Sequence, residues 1–186
     1  MLKDFVDEYQ RYRLVGKKAL DQTSDTALNH VIGHDNNSIA MIVRHIGGNF
    51  ISRFTDFLTS DGEKPWRDRD TEFENRAYDR REICEMWDKG WDVLETQLSA
   101  LSDDDLEKTV YIRGQTWTVH AALSRSLAHA SYHVGQIVMI ARMLAEGDWD
   151  WISVPKGKSK EYNLNPTKEK RPDGASLNEA INHERQ

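Results

Sequence analysis

Ser126-Leu-Ala-His-Ala-Ser-Tyr-His-Val-Gly-Gln-Ile-Val-Met-Ile-Ala-Arg142 reads as the middle of a long helix carrying His129 and His133. A separation of four residues stacks two imidazoles on one helical face about a turn apart, close enough to grip one metal ion. The helix is expected to run from about Thr118 to Glu146, with Gly147 as a natural stop. Its inner stripe is expected to be Ala122, Ser126, His129, His133, Gln136, Ile140 and Leu144, which puts both histidines in the middle of the buried face. A pair at this spacing also suits two histidines that are merely hydrogen-bonded or solvated, so the reading turns on what the chain places opposite it.

Three more amphipathic helices are expected upstream. From Leu2 to about Leu20, apolar residues recur at three- and four-residue steps through Phe5, Tyr9, Tyr12 and Gly16, with acids early and lysines late to suit the helix dipole. Asp21 to Asn37 loses that rhythm and reads as a connection, closed by Asp35, Asn36 or Asn37 as a cap. The second helix, about Ser38 to Leu58, aligns Ile39, Ile42, Val43, Ile46, Phe50, Phe54 and Phe57, with His45 and Asn49 on its flank. Ser60 to about Tyr78 is dense in charges and turn formers and reads as a loop. The third helix, about Asp79 to Leu101, has its seam at Ile83, Trp87, Gly90 or Trp91, Leu94, Leu98 and Leu101. Between Leu106 and Trp117, β-branched and aromatic residues around Gly114 predict a short hairpin or extended turn.

These elements predict an all-α four-helix bundle over residues 1–154, followed by an extended, partly mobile tail over 155–186 that is rich in charge and holds Pro155, Pro166 and Pro172. A formal net charge of -6 over 186 residues argues against non-specific nucleic-acid binding, and no local basic stripe stands out along the chain. The one cysteine, Cys84, cannot form an internal disulfide and follows Ile83 inside a helical pattern, so it reads as a core or boundary residue. The acidic N-terminus lacks the apolar run of a signal peptide, and no stretch reaches the length of a membrane span. The expectation is a cytoplasmic protein with a small-molecule substrate, without nucleic-acid or membrane partners, and with a homodimer as one available state.

A metal site needs a third ligand from across the core. His183 falls in the charged tail, His30 and His34 fall in a connection, and His120 is nine residues before His129 on the same helix, too far along the axis. His45, midway along the second helix, is left. No helix supplies the Glu-x-x-His carboxylates of a di-iron bundle on this face, and no Glu follows the first histidine as in the His-Glu-x-x-His proteases.

The segments Ile42-Val-Arg-His-Ile-Gly-Gly-Asn49 and His129-Ala-Ser-Tyr-His-Val-Gly-Gln-Ile137 together resemble the DinB/YfiT-like superfamily of metalloenzymes, over about residues 2 to 150. The Asp61-Gly-Glu-Lys-Pro-Trp66 loop and the Trp151 to Asn163 stretch resemble an uncharacterised branch of it. The resemblance implies a four-helix bundle in which His45, His129 and His133 bind one divalent metal, with zinc the default for a His-only set and nickel or iron also suited. It implies a metal-dependent thiol S-transferase or a hydrolase, in which the metal holds a low-molecular-weight thiol as thiolate or lowers the pKa of bound water toward ~7. It carries over no general acid or base, so the catalytic and cofactor-binding residues stay unassigned. The rival reading is a non-catalytic, metal-stabilised bundle that acts as a binding or dimerising protein.

Among other polar residues, Asn49 and Gln136 each lie one turn beyond a proposed ligand, where they either orient it or hydrogen-bond between helices. Arg113 and Arg142 suit an acidic substrate or plain surface solvation. Tyr132 is adjacent to His133 in sequence but points elsewhere on the helix. The tryptophans at 87, 91, 117, 149 and 151 are expected as core and docking anchors.

Overall fold

The computed structural model describes residues 1–167, which fall into two compact units, Met1–Trp149 and Asp150 onward. The first unit is mostly helical with one small sheet. Its helices are α1 (Leu2–Asp21), the single turn α2 (Asp25–Leu28), α3 (Ile39–Phe54), α4 (Arg80–Ser99) and α5 (Val119–Met143), and an antiparallel hairpin of β1 (Thr109–Ile112) and β2 (Gln115–Thr118) precedes α5. The second unit contains one turn of helix, α6 (Ser159–Tyr162). The rest of the expected tail, His183 included, lies outside the described residues.

The long helices pack as a ring, with α1 on α5 and α4, and α3 on α4 and α5. Two of them are started by threonine or serine caps, since Ser38 Oγ accepts from Met41 N and Thr118 Oγ1 from Ala121 N. The cap of α3 is therefore Ser38, not Asp35, Asn36 or Asn37. Helix α4 opens with a reciprocal capping box between Asp79 and Glu82. The connection expected over 21–37 is interrupted by α2, whose cap Ser24 accepts from Ala27 N.

The core centres on stacked aromatic rings. Phe50 meets Trp91 edge-on at 4.8 Å, Tyr9 approaches both, and Trp87 lies 5.3 Å from Trp91. Each such pair adds about 0.5–1.5 kcal/mol beyond its burial. Two glycine contacts let these helices approach. A side chain at Gly16 would collide with the Trp87 ring, and a Cβ on Gly90 would lie 2.5 Å from the Gly47 Cα. The Gly47–Gly90 contact brings the α3 and α4 backbones together, so Gly47 of the Ile46-Gly-Gly-Asn49 segment serves packing.

The seam of α4 lies where periodicity puts it, with Ile83, Trp87, Gly90, Trp91, Leu94 and Leu98 buried. The buried arc of α5 does so only in part. Ala122, Ser126 and His133 of the expected stripe are buried, together with Val119, Leu123, Ala130, Val134, Ile137 and Ala141, while His129, Gln136, Ile140 and Leu144 are only half-buried. His129 thus stands at the edge of the core, where it lines a cleft, while His133 one turn on is buried.

Candidate metal centre

Helices α3 and α5 bring the three histidines together. One ligating atom from each of His45, His129 and His133 lies within 4.8 Å of the others, and His45 Nε2 is 3.2 Å from His129 Nε2. His45 and His133 are buried and His129 is half-buried. The other histidines stay apart. His34 is exposed beside Asp35, His30 is exposed, and the His120 ring packs edge-on against Phe5.

Two of the three rings are oriented by what the second nitrogen meets. His45 Nδ1 donates to Glu72 Oε2 at 2.8 Å, which fixes the tautomer and turns the Nε2 lone pair toward His129. His133 Nδ1 bonds Gln136 Oε1 at 2.8 Å, and Gln136 Nε2 in turn reaches the Tyr132 hydroxyl. Gln136 therefore orients a ligand of its own helix rather than bridging helices. His129 Nδ1 is buried and has no partner among the described residues.

Glu72 comes from the stretch expected to be an unstructured loop, where a 3-10 turn over Asp70–Phe73 aims its side chain inward. Its carboxylate also takes a two-pronged contact from Arg67, with Nε to Oε1 at 2.8 Å and Nη2 to Oε2 at 2.9 Å. Burial by itself would raise the Glu72 pKa, but the His45 and Arg67 hydrogen bonds win and hold it below the usual value. Space for this carboxylate exists because position 48 is glycine; a Cβ there would run into Glu72 Oε1. Arg44, the neighbour of His45, ties the same loop down through the Thr71 carbonyl and the Tyr78 hydroxyl. Phe73 closes over the His45 ring at 4.8 Å.

The electrostatics keep the imidazoles neutral. Burial, reinforced by His133, His45 and nearby arginines, pushes the His129 pKa down to about 3. Burial lowers His133 too, against the opposing hydrogen bond from Gln136. Neutral imidazoles offer lone pairs without prior loss of a proton, which is what metal binding requires. The 3.2 Å separation of the two Nε2 atoms also matches the edge of about 3.3 Å in a tetrahedron with metal–nitrogen bonds of about 2.0–2.1 Å. The donor set fits a divalent ion.

Beside the histidines lies a cleft of about 670 Å³, lined by His45, His129, Asn49 and Tyr132 and by side chains from the loop, the hairpin and α5. Arg113 is at its rim, paired with Glu63 at 2.9 Å, whereas Arg142 lines none of it. Cys84 is half-buried on α4, away from the cleft lining. Glu72 and Arg67 are the functional candidates that sequence reasoning missed. Neither sits on a periodic element, and the only signal was an unusually charged loop between two helices.

No helix among the described residues is long and apolar enough to cross a membrane. Comparison with curated proteins and with solved structures finds no match. A family model does match, over residues 1–158, and it spans every element that builds the centre. The chain belongs to the family described as Protein of unknown function (DUF1572).

Proposed function

We propose that this chain is a metal-dependent transferase of the DinB/YfiT-like superfamily, a four-helix bundle in which His45, His129 and His133 hold one divalent ion, zinc by default. The observation that carries the reading is the meeting of three imidazole nitrogens from two helices, with His45 and His129 at the wall of a substrate-sized cleft. An ion bound there supplies the Lewis acidity that makes a thiol nucleophilic near neutral pH. Glu72 holds the His45 ring and its tautomer, Gln136 holds His133, and the cleft positions the second substrate.

The lining of the cleft favours thiol transfer over hydrolysis. Among the described residues it contains no carboxylate, so no side chain there is placed to take a proton from water. A thiol sheds its proton to solvent as it becomes a nucleophile, its sulfur forms the new bond to an electrophilic carbon, and the leaving group departs with the bonding pair. An ion that merely stapled two helices together would need no cleft beside it, which counts against the purely structural reading.

Metal analysis of protein purified without chelators, alongside His45→Ala and His133→Ala, tests the ligand set. Near-stoichiometric metal in the wild type and little in either variant is expected; full metal in the variants overturns the assignment. A panel of low-molecular-weight thiols and alkylating electrophiles, followed by loss of free thiol, tests the activity, and a rate indistinguishable from His133→Ala overturns it.

A further inference from the structure

The cleft is lined by five arginines, Arg53, Arg67, Arg69, Arg113 and Arg125, although the chain as a whole carries a net charge of -6. They come from α3, the loop, the hairpin turn and α5, so no run along the chain announces them. The patch is assembled by the fold.

Their charges are only partly balanced. Arg67 is matched by Glu72, and Arg113 by Glu63. Arg69 approaches Asp70 at 3.9 Å, but that carboxylate is almost wholly exposed and screened by water. Arg53 and Arg125 make no ion pair among the described residues. Arg125 lies over the Trp117 ring, and the Nη1 of Arg53 is buried with no hydrogen-bond partner. A buried, unpaired guanidinium nitrogen in a cleft without carboxylates is costly to maintain and is relieved by an anion from outside. Burial, and then the repulsion of Arg67, Arg113 and Arg125 working against the attraction of Glu63, pull the Arg53 pKa down, in keeping with a site short of negative charge.

We propose that this cleft binds a small molecule carrying two negative charges, a dicarboxylate or a phosphate monoester, between Arg53 and Arg125. The excess of two to three cations sets the charge of the ligand. The planar guanidinium fork matches carboxylate and phosphate oxygens alike. The volume of about 670 Å³ admits a metabolite-sized ligand. Because His45 and His129 share the lining, the anion is held with its remainder toward the metal centre. As a substrate assignment this rests on the reading of that centre as a reaction site; as a binding site it does not need the metal.

The test uses the full chain, stripped of metal and dialysed free of chelator, titrated calorimetrically with inorganic phosphate, with succinate and with acetate. Saturable binding of one equivalent of phosphate or succinate is expected, at least about tenfold tighter than acetate and weakening as salt is raised. Arg125→Gln, an exposed position that does not endanger folding, and Arg53→Gln should each weaken it about tenfold or more. Arg11→Gln, on the outer face of α1, should leave it unchanged. Tighter succinate identifies a dicarboxylate and tighter phosphate a phosphate monoester. Absence of saturable binding, equal affinity for acetate, or equal behaviour of the Arg125 and Arg11 variants overturns the proposal. His133→Ala separates the two readings, since it should lose metal and keep the anion. Anion binding by a wild type that takes up no metal would refute the metal reading alone, and metal without anion would refute this one alone.

Discussion

Replacing Glu72 by Gln removes one negative charge and nearly nothing else, and the structure gives the consequence a size. The Glu72 and Arg67 side chains are 6% and 4% exposed, so the pair is buried. Breaking a buried pair from one side costs roughly 3–5 kcal/mol because a charge is left without its counterion. Gln keeps one oxygen to accept from His45 Nδ1 or from Arg67, so the low end, about 3 kcal/mol, is the expected loss. With a urea slope of about 1–3 kcal/mol/M, the unfolding midpoint of the metal-free protein should fall by about 1–3 M. The second readout is metal affinity. Substituting the partner of a ligating histidine typically weakens metal binding about 10–100-fold, or about 1.4–2.8 kcal/mol. A competition titration against a chromophoric chelator measures it, with the exposed Glu74→Gln as control. A midpoint within about 0.3 M of wild type, together with unchanged metal affinity, would refute the argument that Glu72 holds both Arg67 and His45.

Three further outcomes follow from the same geometry. Gly90→Ala drives a methyl into the Gly47 backbone at 2.5 Å and should cost about 2–3 kcal/mol in urea unfolding, and a cost under about 0.5 kcal/mol would mean that α3 and α4 part freely. In metal-free protein, His129 has a folded pKa of about 3 against 6.5 unfolded, so the unfolded chain takes up the proton first as pH falls. Stability is then complete above about pH 6.5 and drops by up to about 1.4 kcal/mol per pH unit below it, with His133 acting in the same sense. Glu72, held below the usual carboxylate value, adds a further loss at more acid pH, and identical urea midpoints at pH 7.5 and pH 5 would contradict both histidine shifts. Zinc at about 1,000 times its dissociation constant should add about 4 kcal/mol, or about 8–16 °C in melting temperature, and His133→Ala should show none of it. A wild-type melt that ignores zinc would remove the ligand assignment.

The parts of this molecule that were legible in its sequence are those set by a short repeat. The α4 seam from Ile83 to Leu98 follows a heptad-like spacing and is buried as read, and His129 and His133 are held together by nothing more than the helical pitch. His45 took elimination and a family resemblance to find, because its place on the flank of an apolar stripe is ambiguous until a neighbouring helix decides which arc is covered. How far the buried arc of α5 extends past its expected stripe was hidden for the same reason. Ile140 and Val134 are equally apolar on paper, and only the packing of α1 and α3 selects Val134. Glu72, Arg67 and Arg53 were hidden more deeply. Their roles depend on how a loop of some two dozen residues folds back over α3, and no periodicity encodes that path.

The hairpin turn and the loop meet at Asp61. Its carboxylate accepts the backbone N–H groups of Arg113 at 2.9 Å, Gly114 at 2.6 Å and Glu63 at 2.7 Å, and Gly62 N donates to the Tyr111 carbonyl at 2.8 Å. Arg113 and Gly114 both have positive φ, a backbone shape that points their two N–H groups the same way, into that one anion. The two walls that carry Glu63, Arg67 and Arg113 are therefore clamped to each other as well as to the helices. The loop that supplies Glu72 to the His45 ring is thus tied, through one carboxylate, to the turn that carries Arg113. Loss of the Asp61 carboxylate would orphan three backbone N–H groups at once and free the loop from the hairpin turn, a disturbance that would reach His45 only through the loop that carries Glu72.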